Sequence, residues 1–266
     1  MKKLPPNFYK MTLELISFRY NLTAPKRLSL MIDLVNQSNE DMLVFCGHSL
    51  KDQNDLCKLR EQISNVSSFV LFEVKHVEES NFLNLKNCLY NIENGVVHNM
   101  YTNQFFSTSG EINDNEPLCE RFINELETRR RLNVKGHNCL VLQCGEINII
   151  RNLQKEGNRP VFRHQQRSDL EDRFNNLMKN TQIILNPIHT PMGNQGKMEK
   201  RREYFSDDNR CFFSVSQNGT MKKNGIIKPI PLDSRRLQYA FFNGKSLDES
   251  LIEATKDYQI RQYCIR

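Results

Sequence analysis

The sequence predicts a layered α/β sandwich built as one domain. Three observations carry that expectation. Short apolar runs of strand length alternate along the chain with amphipathic helical patterns. Asn94-Gly95 joins two strand-like runs in the manner of a hairpin. No window reaches the roughly 18 apolar residues of a membrane span, and a chain of 266 residues fits a single α/β domain.

The elements follow in order. Leu13–Phe18 reads as a first strand, and Lys26–Gln37 as a helix with Leu28, Met31, Ile32 and Val35 on one face. Met42–Cys46 (MLVFC) is a continuous apolar run, the pattern of a strand buried on both faces. A polar helix over Asp52–Ser64 precedes a third strand at Ser68–Val74. Strands at Leu85–Ile92 and Val96–Tyr101 flank the hairpin turn. Pro117 opens a charged helix over Glu116–Arg131. Cys139–Gln143 (CLVLQ) is another buried strand, ending at Cys144-Gly145-Glu146, and Arg151–Gln166 reads as loop. Then come a helix near Asp169–Lys179, a strand at Gln182–Leu185 stopped by Asn186-Pro187, a helix near Lys197–Asp208 and a strand at Cys211–Gln217. Weaker strands near Gly225–Ile230 and Leu237–Phe242 lead to a helix from about Leu247. The expected division is an N-terminal extension over residues 1–10, one domain over 11–245 and a C-terminal helical tail over 246–266. Functional groups of such sheets collect beyond the carboxyl ends of strands. That directs attention to Cys46–His48, Tyr101–Gln104, Cys144–Glu146 and Asn186–Met192.

A net charge of +6 permits contact with nucleic acid or another acidic partner without demanding it. The basic stretches Lys197–Arg202 and Arg129–Arg131 are diluted by Glu125, Glu127, Glu199 and Glu203, and read as solvated helix faces. Several of the eight cysteines lie inside apolar runs, where a free thiol packs as a small hydrophobe. Met1–Lys10 has no hydrophobic signal segment, so a reducing, cytoplasmic compartment is expected. No CxxC or Cys/His spacing suggests zinc, and neither metal nor cofactor is expected.

Four segments together resemble the nitrilase (carbon–nitrogen hydrolase) family, over roughly residues 11–245. LVFCGHSL (Leu43–Leu50) is similar to the strand that delivers that family's general-base glutamate. ENGVVHNMYTNQFF (Glu93–Phe106) is similar to the hairpin that carries its lysine. GHNCLVLQCGEIN (Gly136–Asn148) resembles the strand and tight turn that present its cysteine nucleophile. Ile183–Gly193 and Lys200–Asn218 resemble the strand, helix and strand that follow. The resemblance implies a nitrilase-like αββα sandwich and a homodimer or larger homo-oligomer. The NPIHTPMG loop is similar to loops of nitrilase-like domains joined to bacterial antiviral reverse transcriptases. That implies a nucleic-acid-associated role in antiviral defence, by analogy of fold alone.

Carried across residue by residue, the family's sites are unevenly filled. Cys144 falls on the nucleophile, Gly47 on the glutamate position and Asn103 on the lysine position. Glycine offers no base, and asparagine offers a hydrogen bond without a charge. Cys144 therefore reads either as an elbow cysteine exposed at a strand end or as an inert core thiol. Glu146 either polarises Cys144 or is a helix-terminal charge. His48 and His189 are candidate replacement bases, or loop residues held by hydrogen bonds. Glu73 is the nearest acid in the neighbouring strand, but by register it falls where the family usually has glycine, and it is not the favoured base. The preferred expectation is an incomplete site in a protein that binds, oligomerises or senses, with a protein partner. The alternative is a divergent thiol amidohydrolase acting on a C–N bond through Cys144.

Overall fold

The computed structural model describes residues 10–78, 84–191, 195–221, 227–249 and 251–265. The chain runs β1 (Met11–Phe18), α1 (Ala24–Gln37), β2 (Met42–Phe45), α2 (Gln53–Gln62), β3 (Phe69–Glu78), β4 (Asn84–Glu93) and β5 (Val96–Asn103). A short α3 (Ser109–Ile112), α4 (Glu116–Thr128), β6 (Arg131–Val134) and β7 (His137–Val141) follow. A 3-10 turn over Cys144–Ile149 leads to β8 (Ile150–Leu153), β9 (Arg159–Phe162), α5 (Ser168–Lys179), β10 (Ile183–Ile188), α6 (Gln195–Phe205) and β11 (Cys211–Ser216). The chain then forms β12 (Gly219–Met221), β13 (Ile227–Pro229), β14 (Gln238–Phe242), β15 (Lys245–Ser246), β16 (Leu251–Ala254) and β17 (Tyr258–Ile265).

Two sheets form the middle layers, in the orders β16-β17-β1-β2-β3-β4-β5 and β15-β14-β11-β10-β7-β6. Each has a parallel centre, β1-β2-β3 in one and β7-β10-β11 in the other. Alternation along the strands of the second sheet explains the layering. Cys139, Val141, Ile183, Leu185, Cys211 and Phe213 share a core with the first sheet. Leu140, Leu142, Ile184 and Phe212 point the other way, onto Phe122 of α4, Phe174 of α5 and Phe205 of α6. On the far side, Leu28, Met31 and Val35 of α1 and Leu56 and Leu59 of α2 join the core of the first sheet. The sequence supplies the helix starts: Pro near the first turn of α1 and α4, and Asp52 accepting the Asn54 and Asp55 amides at α2.

The expected helical tail over 246–266 is not a helix. β17 pairs antiparallel with all of β1, from Met11↔Ile265 to Phe18↔Tyr258, and β16 pairs with β17. The physical reason is the period-two burial of Tyr263 and Ile265 in a segment rich in β-branched and aromatic residues. The charged helix also stops earlier than expected, at Thr128. Lys135 and Gly136 both take positive φ (51° and 83°), and close a β6–β7 hairpin. β10 runs through Pro187 to Ile188 instead of stopping at Asn186, and the expected loop over 151–166 holds the β8–β9 ladder.

Two basic stretches were expected to be solvated; Arg129 and Arg131 are exposed, but Arg130, Arg201 and Arg202 are buried. Arg130 is fully buried and pairs with buried Glu146 at 3.1 Å. Arg201 donates to Asn152 Oδ1, and Arg202 lies 3.5 Å from the centre of the Tyr239 ring. Arg210 is buried too, and donates to the Phe205 and Met178 carbonyls. Residues 1–9 of the expected extension, residues 192–193 of the NPIHTPMG loop and residues 225–226 of a weak strand lie outside the described residues.

Candidate active site

The site forms where the carboxyl ends of the two parallel centres meet. β7 continues into Gln143 and Cys144, β10 into His189, β2 into Gly47 and His48, and β3 supplies Glu73 from its own length. Polar contacts tie the two sheets together at this point. The Gly47 amide donates to the Ile188 carbonyl at 3.0 Å, and Gln217 Nε2 donates to the Gly47 carbonyl at 2.8 Å.

Glu73 is fully buried. Its Oε1 accepts from His189 Nε2 and from the His48 amide, each at 2.8 Å, and its Oε2 accepts from Gln143 Nε2 at 2.7 Å. Gln143 Nε2 also donates to the Asn87 carbonyl at 2.6 Å. The other face of His189 stacks on His48, with ring centres 3.6 Å apart and planes inclined by 15°. His48 Nε2 donates to Asn87 Oδ1 at 2.9 Å. Cys144 lies beside His189 in the same cleft, and its side chain helps to raise the His189 pKa. Since Glu73 takes Nε2, Nδ1 is the ring nitrogen left for a further partner. Thiol, imidazole and carboxylate thus follow one another from cleft to core, and the imidazole–carboxylate step is a 2.8 Å hydrogen bond.

Local conformation presents the thiol. Cys144 has φ +36°, an uncommon value for a non-glycine residue, at the opening of the 3-10 turn. Gly145 is required there: a Cβ would lie 1.8 Å from the Ser107 carbonyl oxygen. Gly47 is required for a different reason. A Cβ on it would lie 2.4 Å from Cδ2 of His189, so the space left by glycine is the space that the imidazole uses.

The electrostatics follow from burial and these contacts. For His189, burial acts to lower the pKa, but the Glu73 charge, the Cys144 side chain and the hydrogen bond to Glu73 outweigh it and raise the value to about 10. For His48, burial and the neighbouring His189 charge push the value down to about 4, against the pull of Glu73. Burial would raise Glu73, but the His189 charge and hydrogen bond and the nearby His48 hold it below the usual carboxylate range. At neutral pH the site therefore pairs a carboxylate with an imidazolium, beside a neutral second imidazole.

Of the residues singled out from sequence, Cys144, His48 and His189 come together and line one cleft of about 770 Å³. Glu146 does not join them. Its oxygens accept from the Gln143 and Phe105 amides and pair with Arg130, so it acts as the capping charge of the 3-10 turn. Asn103 also stays outside the cleft lining: its side chain donates to the Gln104 carbonyl and its carbonyl accepts from Arg130. Sequence reasoning set Glu73 aside. Its signal was a charged residue in the middle of an otherwise apolar strand (FVLFEV), which buries only with partners.

His48, Glu73 and His189 also offer two nitrogens and an oxygen within 4.8 Å of one another, a donor set suited to zinc or iron. The arrangement suits a hydrogen-bonded pair better. The His189–Glu73 contact already occupies one donor of each, and face-to-face rings aim their lone pairs in parallel instead of at one point.

No protein-family model matches the chain, and no curated protein matches it. Solved structures do. The chain is similar to a glutamine-dependent NAD(+) synthetase from Cytophaga hutchinsonii, with 11% identity and a TM-score of 0.59 over 97% of this chain and 43% of that one. It therefore spans less than half of the synthetase. It is similar to a CN-hydrolase superfamily protein from Xanthomonas campestris with an arsenic adduct in the active site (11% identity, TM-score 0.55, 97% and 91% covered). A third is a mutant of the amidase from Nesterenkonia sp. AN1 showing covalent addition of the acetamide moiety of fluoroacetamide at the active site cysteine (8% identity, TM-score 0.56, 100% and 93% covered). At such identities the likeness establishes the architecture: the chain has the nitrilase fold, the αββα sandwich that the resemblance implied.

Proposed function

We propose that the protein is a thiol-dependent carbon–nitrogen hydrolase, with Cys144 as nucleophile, His189 as the proton-transfer group and Glu73 as the acid that orients it. The observation that carries this reading is the line Cys144–His189–Glu73, with Glu73 fully buried and bonded at 2.8 Å to His189 Nε2. The triad would serve acyl transfer in general; the amide as substrate class comes from the fold neighbours.

An imidazolium beside a thiol favours the thiolate, the form that attacks. The sulfur adds to the amide carbonyl carbon, and the C–N bond breaks as His189 gives its proton to the departing amine. A thioester on Cys144 remains. Water then attacks the thioester while His189, now neutral, takes a proton from it. The C–S bond breaks, the carboxylic acid leaves, and the Cys144 thiolate and protonated His189 are restored. Amide and water are consumed; acid and amine are formed. Glu73 keeps its carboxylate throughout, holding the ring orientation and stabilising the imidazolium.

Fluoroacetamide and iodoacetamide are suitable probes, read by mass spectrometry of each cysteine. Exposed Cys57 serves as the reference thiol in the same molecule. Cys144 is expected to label faster than Cys57, and His189→Ala to slow it by at least about 10²-fold, the lower end of general acid–base assistance. Labelling of Cys144 no faster than Cys57, with no amide in a panel hydrolysed, would reject the enzyme and favour a binding role.

A further inference from the structure

The walls of the cleft carry charge of one sign. Arg27, Lys51 and Lys75 line it together with Cys144 and His189, and among the described residues no aspartate or glutamate does. Glu73, the acid behind His189, is buried under the imidazole and committed to it. The three cations are poorly neutralised. Arg27 donates to two carbonyls, of His48 at 2.6 Å and Tyr20 at 3.2 Å, and among the described residues Asp55 is the carboxylate that acts on its charge. Lys51 meets Asp52 at 3.4 Å, with the lysine side chain 63% exposed, a surface pair of little strength. Lys75 has no ion-pair partner among the described residues, and its charge is felt by His48. Two residues beyond Glu73 on β3, it leaves the strand on the same face. Between these cations the wall is apolar, through Leu22, Ala24 and Leu50.

We propose that this cleft selects an anionic substrate: a molecule with a carboxylate or phosphate group, separated by a short apolar segment from the group presented to Cys144. That the presented group is an amide rests on the function proposed above; the selection for an anion does not. A cleft lined by one sign of charge raises the local concentration and on-rate of the opposite sign by about 10–10³-fold. A half-buried Arg27 bonded to neutral carbonyls, with its Nε unpartnered, is the arrangement of a cation with capacity for a further acceptor. With about 770 Å³ the cleft accommodates more than a small primary amide.

The test compares two alkylating reagents of nearly equal size, anionic iodoacetate and neutral iodoacetamide, at Cys144 and at exposed Cys57 of the same full chain. The iodoacetate-to-iodoacetamide rate ratio at Cys144 is expected to exceed that at Cys57 by at least about tenfold in low salt, and to collapse in about 1 M salt. Lys75→Gln and Lys51→Gln should each lower that ratio by about fivefold, with melting temperatures showing that the variants are folded. Glutarate and inorganic phosphate are the protectants, with neutral glutaramide as control. Slower labelling with glutarate alone assigns a carboxylate, and with phosphate alone a phosphate; both are supporting outcomes. Equal ratios at Cys144 and Cys57, with no protection by either anion, overturn the proposal. Slow labelling of Cys144 by both reagents, with the ratio still raised, would instead count against the hydrolase reading and leave the anionic cleft standing.

Discussion

Glu73→Gln isolates the carboxylate from everything else in the site. The rise of His189 from its ordinary 6.5 to about 10 corresponds, at about 1.36 kcal/mol per pH unit, to on the order of 5 kcal/mol of preference for the charged ring. Glu73 is the largest contributor to that preference. Glutamine keeps the shape and removes the charge, so burial then meets less opposition and the His189 value should fall from about 10 to near its ordinary range. The replacement is sterically mild. Its one polar mismatch is at Gln143 Nε2, which now donates to Glu73 and to the Asn87 carbonyl and would face the new amide nitrogen. Imidazole NMR titration reads the effect, with His189→Asn identifying the signal. One ring should remain protonated beyond pH 8 in the native protein, and be neutral at pH 7.5 in Glu73→Gln. Labelling of Cys144 at pH 7.5 should fall by about 10²–10⁴-fold in the same variant. An unchanged titration, or an unchanged Cys144 rate, would refute the claim that Glu73 governs His189.

Three further outcomes follow from the same contacts. His189 binds its proton more tightly folded than unfolded, so its contribution is complete below pH 6.5 and is lost as pH rises from 6.5 towards about 10; His48 is lowered to about 4, so its contribution is lost as pH falls from 6.5 towards about 4. Urea midpoints should therefore fall on both sides of pH 6.5, with the alkaline loss absent in Glu73→Gln, and equal alkaline slopes in the two proteins would contradict this. Gly47→Ala places a Cβ 2.4 Å from the His189 ring and 3.0 Å from the Ile188 backbone, an overpacking cost of about 1–3 kcal/mol in urea melts together with slower Cys144 labelling; native stability and reactivity would show that the ring has room to spare. Dialysis against EDTA should leave Cys144 labelling and any hydrolysis unchanged, whereas a loss that zinc restores would make His48, Glu73 and His189 metal ligands.

The layers were legible because period and composition both report burial. MLVFC is apolar throughout, CLVLQ and CFFSV are so but for Gln143 and Ser214, and each became a strand at a parallel centre, packed on both faces. The C-terminal segment misled because its period-two signal is diluted: buried Gln259 and Arg261 occupy positions that an apolar residue would have marked. Arg130 misled in the same way, since no local pattern shows that a basic residue near a helix end will meet a buried glutamate 16 positions later. At the site, Cys144 was readable from its strand and turn, and His48 and His189 from their places beyond strand ends. What the chain does not display is the pairing of β2 with β3, which puts Glu73 under the His48 amide.

Gly47 and Glu73 are best understood together. In the fold family the resemblance points to, residue 47 is the position of the base, and glycine there looks like a loss. In three dimensions the glycine is occupied space: its missing side chain is where the His189 ring lies, stacked on His48 and bonded to an acid one strand away. A glutamate at residue 47 and the present position of His189 exclude one another, because even one added carbon would lie 2.4 Å from the ring. The negative charge in this site therefore comes from β3, and it lies behind an imidazole that it holds by a hydrogen bond. The vacancy read from the alignment of residue 47 and the burial of Glu73 are two sides of one packing solution.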